Sequence, residues 1–458
     1  MKNALNPPFF FIFLNLILLT IFTSTGFVNA SSTEITFSPA KVLVKEDSNF
    51  TVQVQILNSP PFTMFWITLN YNTTVLDALN VSVTPPWENP YINIDENHGE
   101  IDISSTIQQP LEGNQTIATI TFKAILNSNS TLQFTDTQIY DPQLNPIPHT
   151  TKTAQIEIVG PLNITVASVK DLYYLEQNVT ICGNLTVETT PVNSLIGVEV
   201  TSPKNTTVMT RIIFSSTPTN TSYPLEILSF YPSDERGNPL NSFNAGSQAY
   251  FTITVKNLEN GNLPLLIVIT VFDRYNTPIG FTIWQGTIFS SSSLMYIGSI
   301  FIREEAFNGT AAAYANLFSN WPKNQGIPYC PEKFVKFQIM NGVTKSPVTL
   351  PSTNPAFEAQ YNLTFRLPLY TGMGNYTIYT TSHYKVQNAY AASTLLAKLI
   401  CDFNEDGEVG PYDFARFSLA YGSTSEDPDW LPEADFDNNQ KIGPYDFAVL
   451  ALNYGKHV

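Results

Sequence analysis

The sequence predicts a mainly β protein, several β-sandwiches in series closed by a small α module made of two loop–helix units. Three observations carry this. Over residues 34–160, short runs of alternating polarity are separated by clusters of Asn, Pro, Gly and Ser, the pattern of half-buried antiparallel strands. No helical period of any length interrupts them. Beyond residue 400 the pattern changes: one motif occurs twice, each position 33 residues from its twin, and each copy ends in a helical apolar stripe.

The elements follow in order. An apolar run from Phe9 to Phe22 precedes Val28-Asn29-Ala30, so residues 1–30 read as a signal peptide and the mature chain as secreted, extracellular or at the cell surface. The run is shorter than the roughly 20 residues a membrane helix needs. No second one appears before Val458, so no membrane span is expected in the mature chain. Cys182, Cys330 and Cys401 are too few for a disulfide framework and too scattered for a zinc site, although one disulfide is open to them.

The net charge is −16, and residues 401–458 alone hold twelve Asp/Glu against three Lys/Arg. An acidic balance argues against nucleic acid as a partner, and its concentration at one end asks for bound cations. Nothing argues for an enzyme. His98, His149, His383 and His457 lie in no nucleophile motif. The adjacent carboxylates Asp234-Glu235 and Glu304-Glu305 would point to opposite strand faces instead of converging in a cleft. Trp66, Trp87, Trp284 and Trp321 could stack on sugars, but single aromatics in sandwiches are usually core.

Residues 31–160 read as one sandwich, with strands at Phe50–Ile56, Phe65–Asn70, Ile101–Ser104, Thr116–Ile125, Thr131–Phe134 and Ala154–Val159. Within it, FWITLNYNTTVLDALNVSV (Phe65–Val83), TIATITFKAI (Thr116–Ile125) and LQFTDTQIYDPQLNPIP (Leu132–Pro148) resemble successive strands of a cohesin domain. The resemblance implies a jelly-roll-like sandwich that binds dockerins on one sheet face. It also places the fold near cellulose-binding modules, and an Ig-like spacer is the alternative.

The next region divides in two. Val198–Ser216 resembles the middle strands of a macroglobulin-like or Ig-like sandwich. Its continuation comes at Phe357–Tyr384, where Leu367-Pro368 precedes Gly374-Asn375-Tyr376. Residues 161–222 and 346–400 are therefore expected to form one discontinuous sandwich, and residues 223–345 a second one inserted into it. The polar stretches Thr217–Pro224 and Asn341–Pro355 would be the boundaries, since insertions succeed at exposed loops. Inside the insert, Ala249–Gly280 reads as a hairpin.

The chemistry lies in DFNEDGEVGPYDFARFSLAYG (Asp402–Gly422) and DFDNNQKIGPYDFAVLALNYG (Asp435–Gly455). Calcium takes about six to eight oxygen ligands, which an EF-type loop supplies from its positions 1, 3, 5, 7 and 12. The first copy offers Asp402, Asn404, Asp406, the carbonyl of Glu408, and Asp413. The second offers Asp435, Asp437, Asn439, the carbonyl of Lys441, and Asp446. Two calcium ions are expected, with water at the vertex next to Gly410 and Gly443. Position 6 is Gly407 in one copy and Gln440 in the other; a side chain strained in a positive-φ turn predicts a weaker second site. Phe414, Phe417 and Tyr421 fall on one helical stripe, as do Phe447, Leu450 and Tyr454, with Gly422 and Gly455 where C-terminal caps belong. STLLAKLI (Ser393–Ile400) reads as a strand, so no helix enters the first loop.

A loop with only an exiting helix, duplicated, resembles the dockerin plan. The resemblance implies that residues 401–458 plug into a cohesin through Pro411, Tyr412, Ser418 and Leu419, or through their twins Pro444, Tyr445, Ala451 and Leu452. Proline also simply suits a first helical turn, and the tyrosines suit packing on the facing helix as well as partner contact. Pro-Tyr stands where many dockerins carry Ser/Thr, which departs from the pattern familiar cohesins read. The whole reads as a non-catalytic scaffold or adaptor whose partners are cohesin- and dockerin-bearing proteins. A carbohydrate-binding accessory protein of polysaccharide degradation, or a calcium-dependent adhesin, is the alternative.

Overall fold

The structure, a computed structural model, describes residues 32–216, 222–346 and 359–458. The expected signal peptide lies outside these residues, as does much of each stretch expected to bound the insert. The architecture is mainly β with two short C-terminal helices. Among the described residues no helix is long and apolar enough to cross a membrane.

In the N-terminal sandwich, runs expected as separate strands join into two long ones, Asn49–Asn70 and Glu100–Ala124, which pair antiparallel along most of their length. The ladder shifts register between Ile56 and Met64. Pro60 and Pro61 sit in that break, where no ladder N–H is required of them, so Asn-Ser-Pro-Pro bends the ribbon instead of ending it. The two halves of the ribbon thereby enter different layers. One layer holds Glu88–Asp95, residues 100–106, residues 64–70 and Asn129–Tyr140 side by side. The other holds Leu76–Val83, residues 118–124, residues 49–56 and Glu34–Ser38. Phe37, Val54, Phe65, Ile67, Ile101 and Phe122 are buried between them.

Further along, strands distant in sequence pair directly. Asn178–Gly183 bonds Tyr361–Arg366, and Leu195–Thr201 bonds both Thr207–Phe214 and Gly374–Tyr384. Tyr376 is buried, and its hydroxyl donates to the carbonyl of Gly372 (2.7 Å), pinning the turn before its own strand. Between these segments lie eight strands in two sheets, Leu225–Ser233 through Lys333–Met340.

The expected Ala249–Gly280 hairpin is not formed. Gln248–Asn257 pairs with Leu225–Ser233 and Ser293–Phe301, whereas Leu263–Phe272 joins the other sheet, between Pro278–Ile288 and Gly309–Phe318. Its composition explains this, because Leu263–Phe272 is apolar on both faces. Leu265, Ile267, Ile269 and Val271 fill the core of the insert. Leu266 and Val268 pack with Leu195 and Ile212 of the neighbouring sandwich. A strand buried on both faces cannot sit in a small sheet with one side in water.

The strand Gln387–Lys398 runs up to the first loop of the C-terminal module, with no helix between. Helices α1 (Pro411–Ala420) and α2 (Pro444–Asn453) follow the two loops. Val409, Phe417, Ile442 and Leu450 share one core cluster with Tyr173, Leu395 and Leu399 of the preceding sandwich.

Candidate metal loops and docking faces

Hydrogen bonding in the two loops repeats residue for residue. Asp413 accepts the backbone N–H of Phe403 (2.6 Å) and of Gly410 (2.8 Å); Asp446 accepts those of Phe436 (2.7 Å) and Gly443 (2.8 Å). Each carboxylate thus caps its helix from the third position and ties the loop entrance to the helix start. Asp402 accepts from Asp406 and Gly407 as Asp435 accepts from Asn439 and Gln440. The Asn404 and Asn439 amides donate to Asp406 (2.7 Å) and Asp437 (2.9 Å).

The donors are oxygens throughout, the set a hard divalent cation takes. Carboxylate oxygens of Asp435, Asp437 and Asp446 lie within 4.8 Å of one another. Crowding shows in the electrostatics. Burial, reinforced by the Asp413 charge, raises the Asp402 carboxyl above its ordinary range. Desolvation, the hydrogen bond to Asp435 and the Asp446 charge do the same to Asp437. A cation would relieve both. Glu408 and Lys441 stand at the carbonyl-donating position, and their side chains point into solvent.

Backbone pairing relates the copies by a pseudo-twofold. The N–H of Gly422 donates to Ile442 O (2.9 Å) as that of Gly455 donates to Val409 O (2.9 Å). Ile442 donates to Ser423 O (3.0 Å) as Val409 donates to Lys456 O (2.9 Å). The segment after each helix thus clips the other copy's loop. One clip is anchored further: Lys456 pairs with Glu176 of the neighbouring sandwich, and Glu176 also holds Arg366 (3.1 Å). No sequence signal marks this contact, since its members are 280 residues apart.

All eight expected contact positions, Pro411, Tyr412, Ser418, Leu419, Pro444, Tyr445, Ala451 and Leu452, are exposed; Leu419 is 80% exposed. Tyr412 is 57% and Tyr445 41% exposed. The side chains between the helices are the stripe residues, with Phe414 against Tyr454 (ring centroids 6.5 Å apart) and Tyr421 against Phe447 (6.4 Å). Only Phe417 and Leu450 of the stripe are buried; Phe414, Phe447, Leu450, Ala451 and Tyr454 line an open groove on the helix pair, with Tyr421 exposed beside Phe447.

The N-terminal sandwich has an exposed face of its own. Trp66 is 40% exposed, its ring 6.3 Å from that of Tyr91, and both flank Ser104 across the sheet. Alternation was the available signal: Phe65 and Ile67 are core, so Trp66 faces outward, whereas Trp87 follows the commoner pattern and is buried. Thr68 donates to Asp102 (2.7 Å) and Asn93 to the same carboxylate (3.3 Å). The four segments bearing this face contain no Lys or Arg. Elsewhere, Asp234-Glu235 and Glu304-Glu305 lie on turns, not strands, and the three cysteines are buried and unpaired.

Residues 35–158 match the cohesin domain family. Several solved structures are similar to part of the chain. A chain of a type I cohesin–dockerin complex from Clostridium thermocellum is 17% identical over 28% of this chain and 92% of its own, with a TM-score of 0.26. The non-cellulosomal cohesin of the archaeon Archaeoglobus fulgidus is 19% identical over 28% and 93%, with a TM-score of 0.25. A type I cohesin of Pseudobacteroides cellulosolvens is 16% identical over 28% and 94%, with a TM-score of 0.26. No curated protein matches the chain. The cohesin match ends at residue 158.

Proposed function

We propose that this chain is a secreted, non-catalytic adaptor that joins extracellular proteins by cohesin–dockerin binding. The observation that carries the reading is the cohesin match at residues 35–158. The duplicated all-oxygen loops at the far end supply its second half. In this reading a dockerin-bearing partner covers the sheet face of Trp66, Tyr91 and Asp102, the one with exposed stacked aromatics. Calcium, held by Asp402, Asn404, Asp406, the Glu408 carbonyl and Asp413, and by their twins, sets α1 and α2 for a cohesin. Asp413 and Asp446 hold the helix starts, and Tyr412, Leu419, Tyr445 and Leu452 present the contact ridge.

The two ends should not bind each other. Residues 31–160 carry thirteen Asp/Glu against four Lys, a net −9, and residues 401–458 twelve against three, also −9. Like charge of this size opposes docking. The test is a pull-down of the full chain on a panel of immobilised cohesins and dockerins, with calcium or with EDTA. Retention on a cohesin that EDTA abolishes, and on a dockerin that Trp66→Ala abolishes, is the expected outcome. Retention by neither class, or cohesin retention indifferent to EDTA, would sink the reading.

A further inference from the structure

A cavity of about 440 Å³ lies where three parts of the molecule meet. That volume is within the roughly 300–1,000 Å³ of small-molecule sites, which favour junctions between domains. The neighbouring sandwich contributes Arg366 and Tyr370, the insert Asp273, Arg303 and Glu305, and residues 455–458 close one side.

Its chemistry narrows the ligand. Glu176, Arg366 and Lys456 satisfy one another at one end. At the other end, among the described residues, Arg303 and Glu305 join no ion pair; the Arg303 guanidinium lies 3.5 Å from the centre of the Tyr370 ring. Asp273 is buried, its carboxylate accepting the N–H groups of Tyr275 (2.9 Å) and Thr277 (3.0 Å) and that of Phe307, and among the described residues it joins no ion pair. Among the lining side chains, leaving His457 aside, three cations face three carboxylates, a near balance that favours a neutral ligand over an ion. Carboxylates and a guanidinium together match a ligand whose groups both donate and accept, and hydroxyls do this. Ile279 and Phe307 add the apolar wall that a pyranose ring covers with its C–H face.

We propose that this junction cavity binds a neutral sugar of one or two rings, with Asp273 and Glu305 accepting from its hydroxyls and Arg303 donating to them. The site is independent of the cohesin and dockerin reading, and either can fail without the other.

The test is ligand-observed NMR on the full chain with glucose, galactose, mannose, xylose, cellobiose and xylobiose, and with glucuronate and glucosamine as charged controls. At least one neutral sugar should saturate with a Kd of about 1 mM or tighter. Arg303→Ala and Glu305→Gln, both on exposed or half-exposed residues that leave the core intact, should each weaken it about tenfold or more. Trp66→Ala should leave it unchanged. The proposal fails if no neutral sugar binds, if only a charged control binds, if Arg303→Ala and Glu305→Gln both retain full affinity, or if Trp66→Ala removes the signal.

Discussion

Copies 33 residues apart, with Gly-Pro-Tyr-Asp-Phe-Ala identical in both, do not occupy equivalent surroundings. The first loop is clipped by residues 455–458, and that clip is fastened to Glu176 in another part of the fold. The second is clipped by residues 422–425, which make no such attachment among the described residues. A Cβ added at Gly407 would meet the Val458 side chain at 3.4 Å and the Met373 side chain at 4.0 Å. Gln440, its twin, is exposed. The same motif therefore serves as an anchored half and a free half, and substitutions at twin positions separate the motif's own chemistry from what its neighbours add.

The largest effect is expected at the buried twins. Phe417 is 1% exposed and packs in the cluster shared with the neighbouring sandwich; Leu450 is equally buried in the same cluster. Phe417→Ala should cost about 3–5 kcal/mol and Leu450→Ala about 2–5 kcal/mol. Hydrogen exchange of residues 401–458 in the full chain checks this. If Leu450→Ala opens the module as far as Phe417→Ala does, the anchored half is no better packed than the free one.

Next come the capping carboxylates. Asp413→Ala and Asp446→Ala each remove a helix cap, about 1 kcal/mol, and one vertex of the proposed calcium site. Calcium affinity should fall at least about tenfold at the altered loop, roughly 1.4 kcal/mol. Glu408→Ala, which keeps its carbonyl, should change affinity far less. Titration calorimetry of the full chain, with thermal midpoints measured in calcium and in EDTA, reads both. Midpoints indifferent to EDTA would remove the metal from the account.

A smaller effect tests the anchor alone. Lys456 and Glu176 are each about a quarter exposed, and such pairs contribute about 0–1 kcal/mol. Lys456→Ala should loosen the N–H groups of Gly407 and Val409 and spare those of Gln440 and Ile442. Equal loosening of both loops would mean the pseudo-twofold, not the anchor, governs them.

Much of this was legible in the sequence, and what was not has a physical reason. The duplicated loops were readable because polar residues recur in both copies at fixed local spacing. The cohesin likeness was readable because alternation survives in strands such as FWITLN. Illegible were contacts that depend on tertiary register: the bend at Pro60-Pro61, the transfer of Leu263–Phe272 to the other sheet, and Lys456 on Glu176. The stripe of Phe414, Phe417 and Tyr421 was seen, but period alone does not say how closely two helices approach. In the structure Phe414 and Tyr421 remain exposed.

The smallest effect, and the one that most sharpens the comparison, concerns position 6 of each loop. Gly407 has φ +90° and Gln440 φ +64°, so both sit in the left-handed region. A side chain there costs about 1 kcal/mol or somewhat more. Glycine, however, loses more entropy on folding, about 0.4–1 kcal/mol. Gln440→Gly should therefore be a near-balance, tightening the second loop's calcium affinity by no more than a few-fold. The reverse change is not symmetric. Gly407→Gln adds the same backbone cost at a larger φ, and its Cβ would stand in contact with Val458 and Met373, so the rest of the side chain has less room than Gln440 has at its exposed position. It should weaken the first loop by clearly more than Gln440→Gly improves the second. Titration calorimetry of the two variants and the parent, under one set of conditions, gives both differences. Changes of equal size and opposite sign would mean that backbone strain alone sets position 6, and that the anchoring of the first loop leaves no trace in its affinity.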